Sequence, residues 1–303
     1  GFTLSSSNFV NGTPSRDYAS WTFRKAPKFF DIVEYSYQGN GSGTTAQIPH
    51  NLDSAPGMIL IKAVDKSEAF IVWHKDVNGY FKLNETSAAY TATGAFGSTT
   101  PDMTDTYFTV GYDGATNFPG YNYVAYLFAH NDDDGDFGES GDQDIIKCGS
   151  YTGSSAGTEV NLGFEPQWVM IKKSSDSESW YMYDAMRGVV TGGGNSQDKK
   201  LRANSGGAEA AVAAPIIAFS ANGFVLESTD NEINGSGGTY IYIAIRRPMK
   251  TPESGTEVFD PNYTTSNQFV TTGFPVDLQI GHYTGGGDPY WVDRLRGMST
   301  STT

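Results

Sequence analysis

The chain repeats itself, and that constrains its fold more than any other feature. Pro56-Gly57-Met58-Ile59-Leu60-Ile61-Lys62 and Pro166-Gln167-Trp168-Val169-Met170-Ile171-Lys172 lie 110 residues apart. Further matches follow in the same order: Phe70-Ile71-Val72-Trp73 with Trp180-Tyr181-Met182-Tyr183, Lys82-Leu83 with Lys200-Leu201, and Tyr123–Phe128 with Tyr240–Ile245. The spacing has grown to 117 at the last pair, so the two copies differ by a few loop residues. A unit that recurs in order at this spacing is one fold used more than once.

This register divides the 303 residues. Full repeats span 31–130 and 145–250, with an acidic Gly/Asp linker at 131–144. Gly1-Phe2-Thr3-Leu4 and Tyr18–Lys25 match Gly223-Phe224-Val225-Leu226 and the segment ending at Arg247, so 1–30 reads as the C-terminal part of a preceding repeat. Gly273-Phe274-Pro275 and Trp291–Gly297 match Gly163-Phe164-Glu165 and Tyr183–Gly188, so 257–303 reads as the N-terminal part of a following one.

Each repeat reads as β-structure. Short apolar runs such as Met58–Ile61 and Trp168–Ile171 follow a proline and end in polar residues, the pattern of buried strands. Tyr123–Phe128 and Tyr240–Ile245 are rich in aromatic and β-branched residues, which fit a pleated surface. Asn-Gly pairs at Asn11, Asn40, Asn78, Asn222 and Asn234 accept positive φ at little cost and mark tight turns. Helical evidence is thin. The expectation is an all-β chain of tandem β-sandwich repeats, jelly-roll or lectin-like, each of roughly 105–115 residues.

Composition narrows the function. Lys plus Arg is 20 and Asp plus Glu is 34, a net charge of 20 − 34 = −14. Such a surface repels phosphate, so nucleic acid is not an expected partner. The single cysteine, Cys148, excludes an intramolecular disulfide framework. No run of 18 apolar residues occurs, so no transmembrane helix and no membrane partner are expected.

Trp21-Thr22-Phe23-Arg24-Lys25-Ala26-Pro27-Lys28-Phe29-Phe30-Asp31, Ala55-Pro56-Gly57-Met58-Ile59 and Gly237-Gly238-Thr239-Tyr240-Ile241-Tyr242 resemble a repeated module of large tail-fibre and other virion structural proteins. These belong to tailed phages that infect marine bacteria and cyanobacteria. The resemblance covers most of the chain. It implies an extracellular, virion-borne, non-enzymatic structural protein of a tail or tail fibre, with a part in host attachment. Its partners would be other virion subunits, copies of itself (a trimer by analogy with fibres) and host-surface glycan. It brings no catalytic residues. The competing readings are a carbohydrate-binding adhesin and a polysaccharide depolymerase, the latter requiring two carboxylates facing each other across a cleft.

Candidate chemistry is sparse. Trp73, Trp180 and Trp291 could stack on sugar rings, but they recur at matching repeat positions and a shared core role is the favoured reading. Asp132, Asp134 and Asp136 alternate around Gly135 and could wrap Ca²⁺, or lie in a solvated linker; no other cofactor is expected. Gly153-Ser154-Ser155-Ala156-Gly157 matches the serine-hydrolase pattern formally, but a Gly/Ser turn is the favoured reading. Asp184 and Arg187 recur as Asp293 and Arg296, spaced for a turn-bracing ion pair. Cys148 reads as an inert buried thiol.

Overall fold

The computed structural model describes residues 18–91, 94–138, 140–154, 157–189, 199–211, 216–247, 261, 278–281 and 290–293. The first repeat contributes β1 (Phe30–Ser36), β2 (Thr45–Pro49), β3 (Pro56–Ala63), β4 (Ile71–His74), β5 (Phe81–Lys82), β6 (Tyr107–Gly111) and β7 (Asn122–Ala129). The second contributes β8 (Ile146–Thr152), β9 (Thr158–Asn161), β10 (Pro166–Lys173), β11 (Trp180–Asp184), β12 (Lys199–Arg202), β13 (Ala210–Ala211), β14 (Ile217–Ser220), β15 (Gly223–Leu226) and β16 (Thr239–Arg246). A hairpin of β17 (Leu278–Gly281) and β18 (Tyr290–Asp293) follows. The protein is all-β, and every pairing between strands is antiparallel. Among the described residues, the one helical element is a 3₁₀ turn at Ala185–Arg187.

The same pairing recurs in both stretches. The first strand pairs with the last, β1 with β7 and β8 with β16. The second pairs with the last but one of its sandwich, β2 with β6 and β9 with β15. Nested pairing of this kind is that of a hairpin rolled over itself, as in a jelly roll. The rolling is incomplete: β3 and β10 continue into hairpin partners β4 and β11 in the same sheet. Large sheets of order β1-β7-β3-β4-β5 and β13-β12-β11-β10-β16-β8 result, each backed by a small sheet of β2-β6 or β14-β15-β9. Residues 18–25, matched in sequence to a closing strand, form no strand here.

The two large sheets face each other. Cross-strand partners share a face, so Tyr123, Ala63 and Ile61 lie on the side of Phe108 in the small sheet. On the opposite side, Met58 pairs with His74 and Val72 with Phe81. That side meets the second repeat. Phe81 packs edge-on against Trp180 at 5.4 Å, and Trp168, Met170, Trp180, Ile241 and Ile243 join the first repeat's core cluster. A Cβ on Gly57 would lie 2.7 Å from the Cβ atoms of both Cys148 and His130, so only glycine lets the sheets approach this closely. The face opposite, from Val169 and Ile171 to Phe224 and Ile233, forms a separate cluster.

Most buried polar groups at this interface are matched, the indole N–H groups of Trp168 and Trp180 excepted. His74, 1% exposed, donates from Nε2 to the Tyr242 carbonyl at 3.1 Å, while its Nδ1 accepts from the Asp76 amide at 3.2 Å. The Ala89 amide donates to Ser174 O, and the Glu178 amide to Thr86 O. Fully buried Lys172 caps carbonyls of Lys173 and Asp176 in its own turn and reaches Thr86 O at 3.1 Å. Lys62 caps the carbonyls of Lys66 and Glu68 in the same way, which explains why a lysine ends both apolar runs. Burial pushes Lys172 down to about 8.

The segment expected to be a linker is folded. Asn131, fully buried, donates to Lys28 O and accepts from the amides of Ile145 and Ile146. Asp144 accepts from the amides of Asp133 and Gly135 at 2.9 and 3.1 Å, and Phe137 pairs with Gln143. Its carboxylates therefore replace missing strand partners for local amides, and the loop is a clasp between β7 and β8 rather than a solvated tether.

Because one core crosses both repeats, Phe81→Ala should cost about 3–5 kcal/mol in urea denaturation, with fluorescence and circular dichroism reporting one shared transition. Two separated transitions would contradict the shared core. Acid should loosen the same interface. Burial holds His74 down at about 4 and lowers His130, and it also lowers His50 inside the first repeat. The folded state keeps these rings neutral while the unfolded chain takes up protons near pH 6.5. Stability is therefore full above that pH and falls on descending toward 4, by about 3 kcal/mol for His74 alone. Denaturation midpoints measured from pH 7.5 to 4 check the slope, and His74→Gln should flatten it.

Candidate functional site

Most residues singled out in the sequence are structural. Trp73 is 7% exposed and Trp180 is 2% exposed. Trp73 shares the face of its cross-strand partner Ile59 toward its own small sheet, and Trp180 sits against Phe81. Sugar stacking needs an open ring face, and neither offers one. Trp291 lies in β18, paired with Ile280; its side chain is outside the described residues, as are His282 and Arg296. Ser155, the serine of the hydrolase-like pattern, is also outside them. Neighbouring Ser154 serves a turn, its amide on Asn234 Oδ1 and its hydroxyl on Thr158.

The three aspartates proposed for Ca²⁺ do not converge. Asp132 pairs with Lys147 at 3.1 Å, Asp134 accepts from the Asp132 amide, and Asp136 pairs with Lys28. Among the described residues no cluster of three His, Cys, Asp or Glu side chains is placed to hold a metal ion. Asp184 and Arg187 form the brace their spacing indicates: Nε to Oδ2 is 2.6 Å, and Oδ1 also caps the 3₁₀ turn through the Arg187 amide. Arg187 also lies over the Trp21 ring, which packs against Trp168. Cys148 is a buried free thiol whose pKa burial pushes well up, so thiolate chemistry is disfavoured.

Sequence reading missed a corner that both repeats build from tyrosines. Tyr35 donates to Thr116 O and Tyr151 to Ile233 O, each at 2.6 Å. Tyr35 stacks on Tyr123 and Tyr151 on Tyr240, with ring centroids 5.3 and 5.1 Å apart. Asn117 and Asn234 each accept from an amide across the corner at 2.9 Å. Burial raises the pKa of both Tyr35 and Tyr151 far above the usual phenol value, so they remain hydrogen-bond donors.

On this shared corner the two rims differ. The first repeat reads Asn117-Phe118-Pro119-Gly120-Tyr121, where the second reads Asn234-Gly235-Ser236-Gly237-Gly238. Phe118, 36% exposed, lies 5.0 Å from Tyr112 and 6.2 Å from Tyr121, and Tyr37 meets Tyr112 at 6.2 Å. Lys66 caps the Tyr121 ring at 5.0 Å. Beside this aromatic rim, β1 and β2 border a groove of about 620 Å³, which also takes in Val64, Asn122 and Tyr123. Ser36, Asn122 and Asp65 form a hydrogen-bonded chain along it. Glu34 and Gln47 line it, their backbones held in the strand ladders and their side chains making no hydrogen bond among the described residues. Aromatic faces beside polar side chains suit a hydroxyl-rich ligand, because ring faces pack on C–H surfaces while carboxylates and amides take hydroxyls. The signal legible in sequence was aromatic substitution at one rim where the other keeps glycine.

No described helix is long and apolar enough to cross a membrane. Comparison with curated proteins and with solved structures finds no match. A family profile described as a domain of unknown function (DUF7483) matches residues 1–248, through both copies of the sequence repeat and the clasp between them. The chain belongs to the DUF7483 family.

Proposed function

We propose that this chain is a non-catalytic structural protein of a phage virion, a tail or tail-fibre component built from tandem β-sandwiches. The observation that supports it best is the shared core of the two large sheets. Sandwiches joined by a free tether move independently, whereas these are welded through Phe81, Trp180, His74 and Lys172 and transmit load as one body. The resemblance to tail-fibre modules supplies the virion setting. Mass spectrometry of purified particles from the phage encoding the chain should find it at the copy number of a structural component. A chain present in infected cells but missing from particles would overturn the assignment.

The aromatic rim and groove of the first repeat favour a second role, contact with host-surface saccharide. The exposed position of Phe118 and the open Glu34 and Gln47 support it. On a glycan array, the intact chain should bind a surface polysaccharide, and Phe118→Ala with Tyr121→Ala should weaken binding at least about tenfold while leaving the denaturation midpoint near its original value. Retention of full binding in that double variant would move the contact elsewhere.

A further inference from the structure

One polar cluster is left over by the fold and by the proposed contact surface. At the end of β10, Lys173, 7% exposed in its side chain, places Nζ 2.7 Å from Asn231 Oδ1 and 3.4 Å from Asp176 Oδ2. The other side of the same amide is engaged too: Asn231 Nδ2 donates to Glu178 Oε1 at 3.0 Å. The amide therefore presents its carbonyl to an amine and its leaving nitrogen to a carboxylate.

We propose that Lys173 and Asn231 are a self-modifying pair that closes an isopeptide bond, with Glu178 and Asp176 carrying the protons. Asp176 takes a proton from the Lys173 ammonium. The freed amine attacks Asn231 Cγ, one bond beyond the oxygen it already touches. Glu178 relays the proton released by the attacking nitrogen to Nδ2, which leaves as ammonia and takes up the proton held on Asp176. One C–N bond forms and one breaks. An ammonium and a primary amide become a secondary amide and an ammonium ion, and no oxidant or external reagent is consumed.

Three features support a built site rather than a chance surface contact. The Asn231 backbone is pinned, since its carbonyl accepts from Tyr240 Oη at 2.7 Å. Glycines make room for it: a Cβ on Gly235 would lie 2.4 Å from Asn231 Oδ1, and one on Gly238 would lie 3.0 Å from Lys173 Cε. The cluster is also dispensable for the fold. Ala63 faces Tyr123 where Lys173 faces Tyr240, and Tyr123 donates to Gly114 where Tyr240 donates to Asn231. Asn231 is exposed on its outer side, which gives ammonia a way out. The bond would tie the end of a central strand to a turn 58 residues later, a covalent staple across the rim that in the first repeat carries aromatics.

Intact-mass spectrometry of the purified full chain tests this. The wild-type chain should be about 17 Da lighter than its sequence, the mass of one ammonia, and digestion should release a branched peptide joining Lys173 to Asn231. Lys173→Ala and Asn231→Ala should each restore the full mass, and Glu178→Gln should leave most molecules unjoined while the circular dichroism spectrum is unchanged. Asn-Gly turns can also lose ammonia as cyclic imides, so the branched peptide decides. A full-mass wild-type chain, or a loss of ammonia that persists in Lys173→Ala, would falsify the proposal.

Discussion

The structure depends on the apolar contact between two sheets whose central strands are buried on both faces. An isolated sandwich can leave one face of its large sheet in water and then alternates polar with apolar along each strand. Here β4 is buried at all four positions and β10 at seven of eight. Neither sheet could stand as an outer wall without exposing residues such as Met170, Trp180 and Val72. Packing them together removes that surface from water and sets the conditions for everything nearby. Gly57 must be glycine, His74 must stay neutral, and Lys172 must find carbonyls instead of water. It also gives a physical reason for a family profile that runs through both repeats as one unit.

The outward corners, away from the shared wall, differ between the repeats. Both repeats keep the tyrosine pair, the asparagine acceptor and the turn that accepts the phenol hydrogen bond. These groups are buried, and an unmatched polar atom there costs stability. The rim beyond them carries no such constraint. One copy carries Phe118, Pro119 and Tyr121 there, beside a groove. The other carries glycines there, with a lysine, an asparagine and two carboxylates in contact nearby. A duplicated fold can thus carry two different surface chemistries on one invariant interior.

The strand runs, the hairpins after Lys62 and Lys172 and the all-β class were legible because strand burial leaves a period and a composition that need no tertiary information. The bracing of Asp184 to Arg187 was legible because its partners are three residues apart. The burial of Trp73 and Trp180 was legible only as the favoured of two readings. An aromatic at a repeat position looks the same whether its ring meets a sugar or a neighbouring sheet, and only the edge-on packing of Trp180 against Phe81 decides between them. The acidic segment misled for a related reason. A run of aspartates resembles a tether by composition, but Asp144 and Asn131 turn it into a clasp by satisfying amides up to fifteen positions away.

By itself, the sequence determined the repeated β-unit, its register and its acidity, since these follow from local patterning and counting. Tertiary structure alone decided that the repeats share a core, that the tryptophans belong to it, and which groups remain on the surface. Those outcomes rest on contacts between residues more than a hundred positions apart, such as His74 with Tyr242. No local pattern encodes them, because burial on a second face requires a partner that the strand itself cannot specify.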